Sequence, residues 1–227
     1  LADSLELTVS HQQSASVVGA DQNIFISSGN LVHLDTLALP QQNIAIFPEM
    51  GENDGIIGMN LAWAFVVKVD FDQSCIYLYD RGSYLPEEDE IEVPIIFPEG
   101  IIMIPSKLDL LGKGAVQGNF VFDTGAGFHV VAFSPFVRKN RLLLSGFKYE
   151  SQTSMSSMGH STAIYHGKAT EFSFAGENIR DMPIALQASS GNDGWDPGIA
   201  GSIGIQLIKN YNFTIDLANE KLYLNKN

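Results

Sequence analysis

Two stretches decide the fold: GIIGMNLAWAFVVKVDFDQSCIYL at residues 55–78 and GSIGIQLIKNYNFTIDLANEKLYL at residues 201–224. They align without a gap at an offset of 146, and seven of 24 positions are identical. The identities are Gly55/Gly201, Ile57/Ile203, Gly58/Gly204, Leu61/Leu207, Asp70/Asp216, Tyr77/Tyr223 and Leu78/Leu224. Phe65/Tyr211, Val69/Ile215 and Ile76/Leu222 swap like for like. Glycines and an aspartate match as well as the apolar pattern, so chance likeness of two generic β segments is a poor explanation. The shared unit reads as a Gly-x-Ile-Gly turn, a short helix, a strand ending in Asp, a turn and a final strand. Asp70 and Asp216 stand before the turns, where capping is expected of each.

Outward from the repeat, short apolar runs alternate with Gly, Pro, Asn and Asp. Strands are expected at 24–27, 31–38, 44–47, 65–71, 76–79, 91–96, 101–105, 118–122, 129–133, 162–165, 169–174, 182–186, 212–217 and 221–224. Many short strands with turn signals between them point to an all-β chain of sandwich or barrel type. Helix signals are few: Ser134-Pro135 ahead of 136–140, and short runs at 60–64 and 205–210. Each repeat copy closes a lobe. The first lobe is expected at 1–80, an acidic solvated linker with Glu87-Glu88-Asp89-Glu90 at 81–90, and the second lobe at 91–227. The lobes are unequal, so the first is expected to lack its beginning.

The chain has 227 residues, a formal charge of −13 and an apolar content of 45%. That composition is globular, and so acidic a surface disfavours nucleic acid and anionic lipid as partners. The longest strictly apolar run, residues 61–67, is too short to span a membrane. A single cysteine, Cys75, excludes an intrachain disulfide framework. The five histidines show no metal-binding spacing, and no metal or cofactor is expected. Gly-x-Ser-x-Gly and a complete phosphate loop are both missing from the sequence. Leu1 reads as an internal residue of a longer precursor; the compartment is open, with an exported bacterial protein favoured.

One further motif carries chemistry. Asn119-Phe120-Val121-Phe122 runs straight into Asp123-Thr124-Gly125-Ala126-Gly127, and the apolar run 129–133 follows at once. The tripeptide alone arises by chance about one time in twenty in a chain of this length. The strand context adds weight, because it delivers a carboxylate to a tight turn. Two readings stay open on these residues alone: a catalytic carboxylate, or an ordinary Asp whose side chain caps a β-turn.

Taken together, strand–Asp-Thr-Gly-Ala, a hairpin, and Gly-x-Ile-Gly leading to a helix and a strand ending in Asp resemble a lobe of the pepsin and retropepsin clan of aspartic peptidases. The bacterial retropepsin-like group is the nearest in flavour. The resemblance implies two pseudo-symmetric β-barrel lobes with a few short helices and an active-site cleft between them. It implies that Asp123 is one catalytic carboxylate, with Thr124, Gly125 and Ala126 supporting its loop. Gly58 and Gly204 would form the floor of the cleft. Gly19, Met158 and Gly159 would lie on the two flaps and touch substrate. The partner aspartate is expected some tens of residues ahead of Leu1, where the repeat offset carries Asp123. Gly127 departs from the clan, which often has a side-chain oxygen there.

The implied activity is cleavage of a peptide or protein by an endopeptidase. The alternative is a non-catalytic peptide-binding module on a degenerate copy of the same fold. A homodimer building its dyad from two copies of Asp123 is a third option. The internal repeat favours a monomer, since each chain already carries a partner lobe.

Overall fold

The computed structural model describes residues 5–17, 20–47, 55–157, 160–188 and 198–227. The chain divides into two compact units, Leu1–Ile57 with Ser157–His160, and Gly58–Ser156 with Ser161–Asn227. The smaller unit holds an antiparallel meander of β1 (His11–Val17), β2 (Ala20–Leu34) and β3 (Leu37–Ile46). The larger opens with helix α1 (Asn60–Ala64) and strands β4 (Val66–Asp70), β5 (Cys75–Tyr79), β6 (Ile91–Pro94), β7 (Met103–Asp109), β8 (Val116–Phe122) and β9 (Val130–Ala132). It continues through α2 (Ser134–Lys139), β10 (Tyr149–Ser157), β11 (His160–Phe174), β12 (Glu177–Gln187), β13 (Ile199–Ile203), α3 (Ile205–Ile208), β14 (Tyr211–Asp216) and β15 (Lys221–Lys226).

The two repeat copies pair with each other. A five-stranded sheet runs β5-β4-β14-β15-β6. In its centre β4 and β14 are antiparallel, with Val69 opposite Phe213, Lys68 opposite Thr214 and Val67 opposite Ile215. Lys68 and Thr214 are themselves 146 residues apart, so the pairing is centred on equivalent residues and a local two-fold axis passes between them. The turns repeat as well. Asp70 Oδ1 accepts from Gln73 N at 2.9 Å and Asp216 Oδ1 from Asn219 N at 3.2 Å. Ser74 and Glu220, again 146 apart, both take left-handed backbone, each at φ 54°. The matched aspartates therefore cap the matched turns.

The other sheet is a barrel. Its order is β10-β11-β12-β9-β13-β8-β7, and β7 pairs back onto β11 through Leu108 opposite Phe172, closing six strands. Ile104, Phe120, Phe172, Phe174, Leu186 and Ile203 are fully buried in its core. Phe120 and Phe172 meet edge to face at 5.3 Å. Burying side chains of this size stabilises the fold by about 1.5–3 kcal/mol each.

The structure extends the repeat beyond what the sequence shows. β2 and β11 each run 15 residues, and outside the irregular stretch at Asn30 β2–β3 has the register of β11–β12 displaced by 140 residues. Asp35 and Gln41 have left-handed backbone, and so have Ala175 and Asp181, each 140 residues on.

Four expectations need correction. Gly201-Ser202-Ile203 is the strand β13, not a turn, because its backbone bonds on both sides to β8 and β9. The strand expected at 31–38 breaks at Asp35, whose φ of 51° turns β2 into β3. The polar strands β1 and β10 were not expected at all. The acidic run is not merely hydrated: Glu87 takes the Lys68 ammonium at 2.7 Å, and Glu90 takes the Tyr84 hydroxyl at 2.6 Å. Thr214 in turn donates to Tyr84 at 3.1 Å, which straps the segment across the five-stranded sheet. Residues 58–80 pack with the larger of the two compact units.

Candidate functional site

β8 and β9 are not neighbours in the barrel; β13 lies between them, parallel to β8 and antiparallel to β9. The connection from Asp123 to His129 must therefore cross the end of β13. Hydrogen bonds fasten the crossing. Asp123 N donates to Ile203 O at 2.9 Å, and Gly204 N to His129 O at 2.8 Å. Ile205 N donates to Ala126 O at 2.8 Å and Gln206 N to Phe128 O at 3.1 Å. The start of α3 thus spends its free N–H groups on the loop, as a helix N-terminus must spend them somewhere.

Glycine is required where the chains cross. A Cβ on Gly204 would lie 2.3 Å from Phe128 O and 2.6 Å from Ala126 O. A Cβ on Gly201 would lie 2.0 Å from Val131 O. These two residues of the motif are there for close approach rather than for a turn.

Asp123 is half-buried, and Thr124, Gly125 and Gly127 are exposed. The Asp123 carboxylate accepts from Gly125 N at 3.0 Å, and Ala126 N reaches Asp123 O at 3.4 Å. The capping role open to Asp123 from sequence is therefore real, and it leaves the other carboxylate oxygen unused by any protein group among the described residues. The structure brings Asp123, Thr124, Gly125, Ala126 and Gly204 together. Gly58 is exposed, and an added Cβ there would meet nothing within 4 Å. Gly19, Met158 and Gly159 lie outside the described residues.

Two features were missed from sequence. Ser202, between the crossing glycines, has a buried hydroxyl with no hydrogen-bond partner among the described residues. His129 anchors the loop by its carbonyl, while burial and then the Lys209 charge hold its imidazole below the usual histidine range. Its side chain lines a cavity of about 350 Å³ with Glu177, Arg180, Tyr211 and Lys226. A second cavity of about 260 Å³ lies between β8 and α2 at Gly118, Phe136 and Lys139. Asp123 lines neither. Among the described residues no group of three or more His, Cys, Asp or Glu could hold a metal ion, and no helix is long and apolar enough to cross a membrane.

This crossing, inside a six-stranded barrel joined to a pseudo-symmetric sheet, defines an acid-protease-like all-β fold. One solved structure agrees in fold. The aspartic proteinase from Irpex lacteus is similar over 97% of this chain and 82% of its own, with a TM-score of 0.53 and 11% identity. A retropepsin-like aspartic protease from Rickettsia conorii matches over 61% of this chain and 100% of its own, with a TM-score of 0.42 and 16% identity. No family model and no curated protein sequence matches. The chain has the fold of the pepsin and retropepsin clan.

Proposed function

We propose that this chain is part of an aspartic endopeptidase and that Asp123 is one of its two catalytic carboxylates. The observation that supports this best is the crossing itself: a strand delivers Asp123 to a loop pinned over Gly204, with its carboxylate half-exposed. The partner carboxylate would come from the first lobe, ahead of Leu1. Two carboxylates in hydrogen-bonding distance cannot both ionise, so they share a proton, as in aspartic proteases generally. The ionised member takes a proton from water, and the water oxygen attacks the scissile carbonyl carbon. The protonated member donates to the carbonyl oxygen. Collapse of the tetrahedral species, with a proton passed to the amine, releases the two peptide fragments. No cofactor enters these steps.

Thr124 would brace the loop through its hydroxyl, and Gly125 already supplies the N–H that orients Asp123. Gly19, Met158 and Gly159 would close over an extended peptide, which pairs with them as an added strand. Gly58 would take under the partner loop the place that Gly204 takes under this one. The working form is a monomer, acting on peptide or protein and not on nucleic acid or membrane.

The test is a peptide-library digest from about pH 3 to about pH 7, bracketing the titration of such a pair. It compares residues 1–227, the full-length protein, and Asp123→Asn in the full-length protein. The expected result is cleavage by the full-length protein alone. Cleavage by the Asn variant refutes the role of Asp123. Cleavage by residues 1–227 alone points to a dyad built from two copies. A full-length protein that binds peptides and never cuts them favours the binding module.

A further inference from the structure

The barrel leaves a gap beside β12. β9 begins at Val130 and pairs with β12 only at Ile184, Ala185 and Leu186. The rest of β12, from Glu177 to Pro183, has β11 on one side and no strand on the other among the described residues. The cavity of about 350 Å³ opens there, walled by β12, by His129 at the end of β9, and by Leu207 of α3 and Tyr211 of β14. An unpaired edge invites a strand, but Pro183 has no N–H to give one. The volume is at the low end of those that hold small molecules.

The lining says what kind of molecule fits. Ile179, Met182 and Leu207 are apolar, and the last two are each only 3% exposed. Glu177 is the only acid in the lining, and both its oxygens are taken. Lys226 Nζ donates to Oε1 and Oε2 at 3.2 Å each, and the Tyr211 hydroxyl to Oε2 at 2.6 Å. The Glu177 and Lys226 charges therefore offset each other. Arg180 is different: its guanidinium lines the cavity with no ion pair or hydrogen bond to another described residue. In a chain with 26 acids and 13 bases, an unspent arginine beside an apolar hollow is a local reversal of charge. Lys209, whose charge reaches the His129 ring, adds to it. A guanidinium matches a carboxylate in a two-point fork.

We propose that this cavity binds a small organic monocarboxylate, with its carboxylate on the Arg180 guanidinium and its aliphatic or aromatic body on Ile179, Met182 and Leu207. The site is separate from Asp123, which does not line it. Backbone bonds nevertheless join the two: His129 O accepts from Gly204 N, and the start of α3, which carries Leu207, is bonded to Ala126 O and Phe128 O. The proposal stands whether or not the chain cuts peptides.

Titration of the protein with benzoate, followed by NMR, tests this. Benzoate should shift the amides of residues 177–183 and the His129 ring in a saturable way. Benzamide, the same body without the charge, should bind at least about tenfold more weakly, and so should acetate, which lacks the body. Arg180→Gln, at an exposed position, should keep the fold, weaken benzoate at least about tenfold and leave benzamide unchanged. No saturable shift with benzoate overturns the proposal. So does equal binding of benzoate and benzamide, or an Arg180→Gln variant that binds benzoate as well as the wild type. Acetate or inorganic phosphate binding as tightly as benzoate also overturns it, since the apolar wall then plays no part.

Discussion

Replacing Gly204 by Ala should be among the most damaging small substitutions in the chain. Gly204 has ordinary extended backbone, φ −98° and ψ 176°, so alanine meets no conformational penalty there. The cost is steric. The added methyl would lie 2.3 Å from Phe128 O, 2.6 Å from Ala126 O and 2.8 Å from Phe128 Cδ2. Both oxygens accept bonds from the start of α3, so neither can withdraw without breaking one. Overpacking costs roughly 1–3 kcal/mol, and two backbone obstacles put this site at the top, at about 3 kcal/mol. For a chain of this size that lowers Tm by about 6–12 °C. The control is built into the repeat. Gly58 is the equivalent glycine, has nothing within 4 Å of its added Cβ, and should change stability by no more than about 0.5 kcal/mol as Gly58→Ala. Calorimetry and urea titration of both variants settle the comparison. Equal losses, or a Gly204→Ala loss below about 0.5 kcal/mol, would refute the close crossing.

Three further outcomes are expected. Tyr211→Phe removes the hydroxyl that Glu177 accepts at 2.6 Å and should cost about 1 kcal/mol near neutral pH by urea titration. That hydrogen bond, opposed by burial and aided by Lys226, holds the Glu177 carboxyl below the ordinary glutamate value of 4.5; a depressed folded pKa stabilises above 4.5 and is lost as pH falls through the folded value, so the gap between wild type and variant should close in acid below that value. Ser74→Gly and Glu220→Gly should each stabilise by about 0.5–1 kcal/mol, because both positions hold φ near 54°; a loss at either in thermal melts would contradict the matched turns. Asp123→Asn should keep Tm within a few degrees, since an amide oxygen can still accept from Gly125 N; a collapse of the fold would show that the charge itself is structural.

The repeat was legible because the glycines of its second copy and both of its aspartates are fixed by their surroundings. A Cβ on Gly201 or Gly204 would collide with a carbonyl oxygen, and Asp70 and Asp216 are fixed by the turn amides they accept from. The helix at 60–64 was legible as a short run, and α2, expected at 136–140 and found at Ser134–Lys139, from its Ser-Pro start. The meander copy at an offset of 140 was not, because it shares register and turn shape rather than side chains. β1 and β10 were invisible for a related reason: His11-Gln12-Gln13-Ser14 and Tyr149-Glu150-Ser151-Gln152 are exposed on both faces, so no period-two apolar pattern marks them. β13 was misread because a strand squeezed between two neighbours needs glycine, and glycine reads as a turn. The Asp123 loop was legible as a motif, but its fastening to α3 and the His129 carbonyl involves backbone groups that no sequence displays.

The central claim is that Asp123 is half of a carboxylate pair. An experimental structure of the full-length protein tests it at one distance, from the Asp123 carboxylate to the nearest other carboxylate. The account predicts a second aspartate within hydrogen-bonding distance, about 3 Å, on a loop that crosses residues 55–58 as residues 123–129 cross β13. An Asp123 whose nearest carboxylate is beyond reach of a shared proton would contradict it.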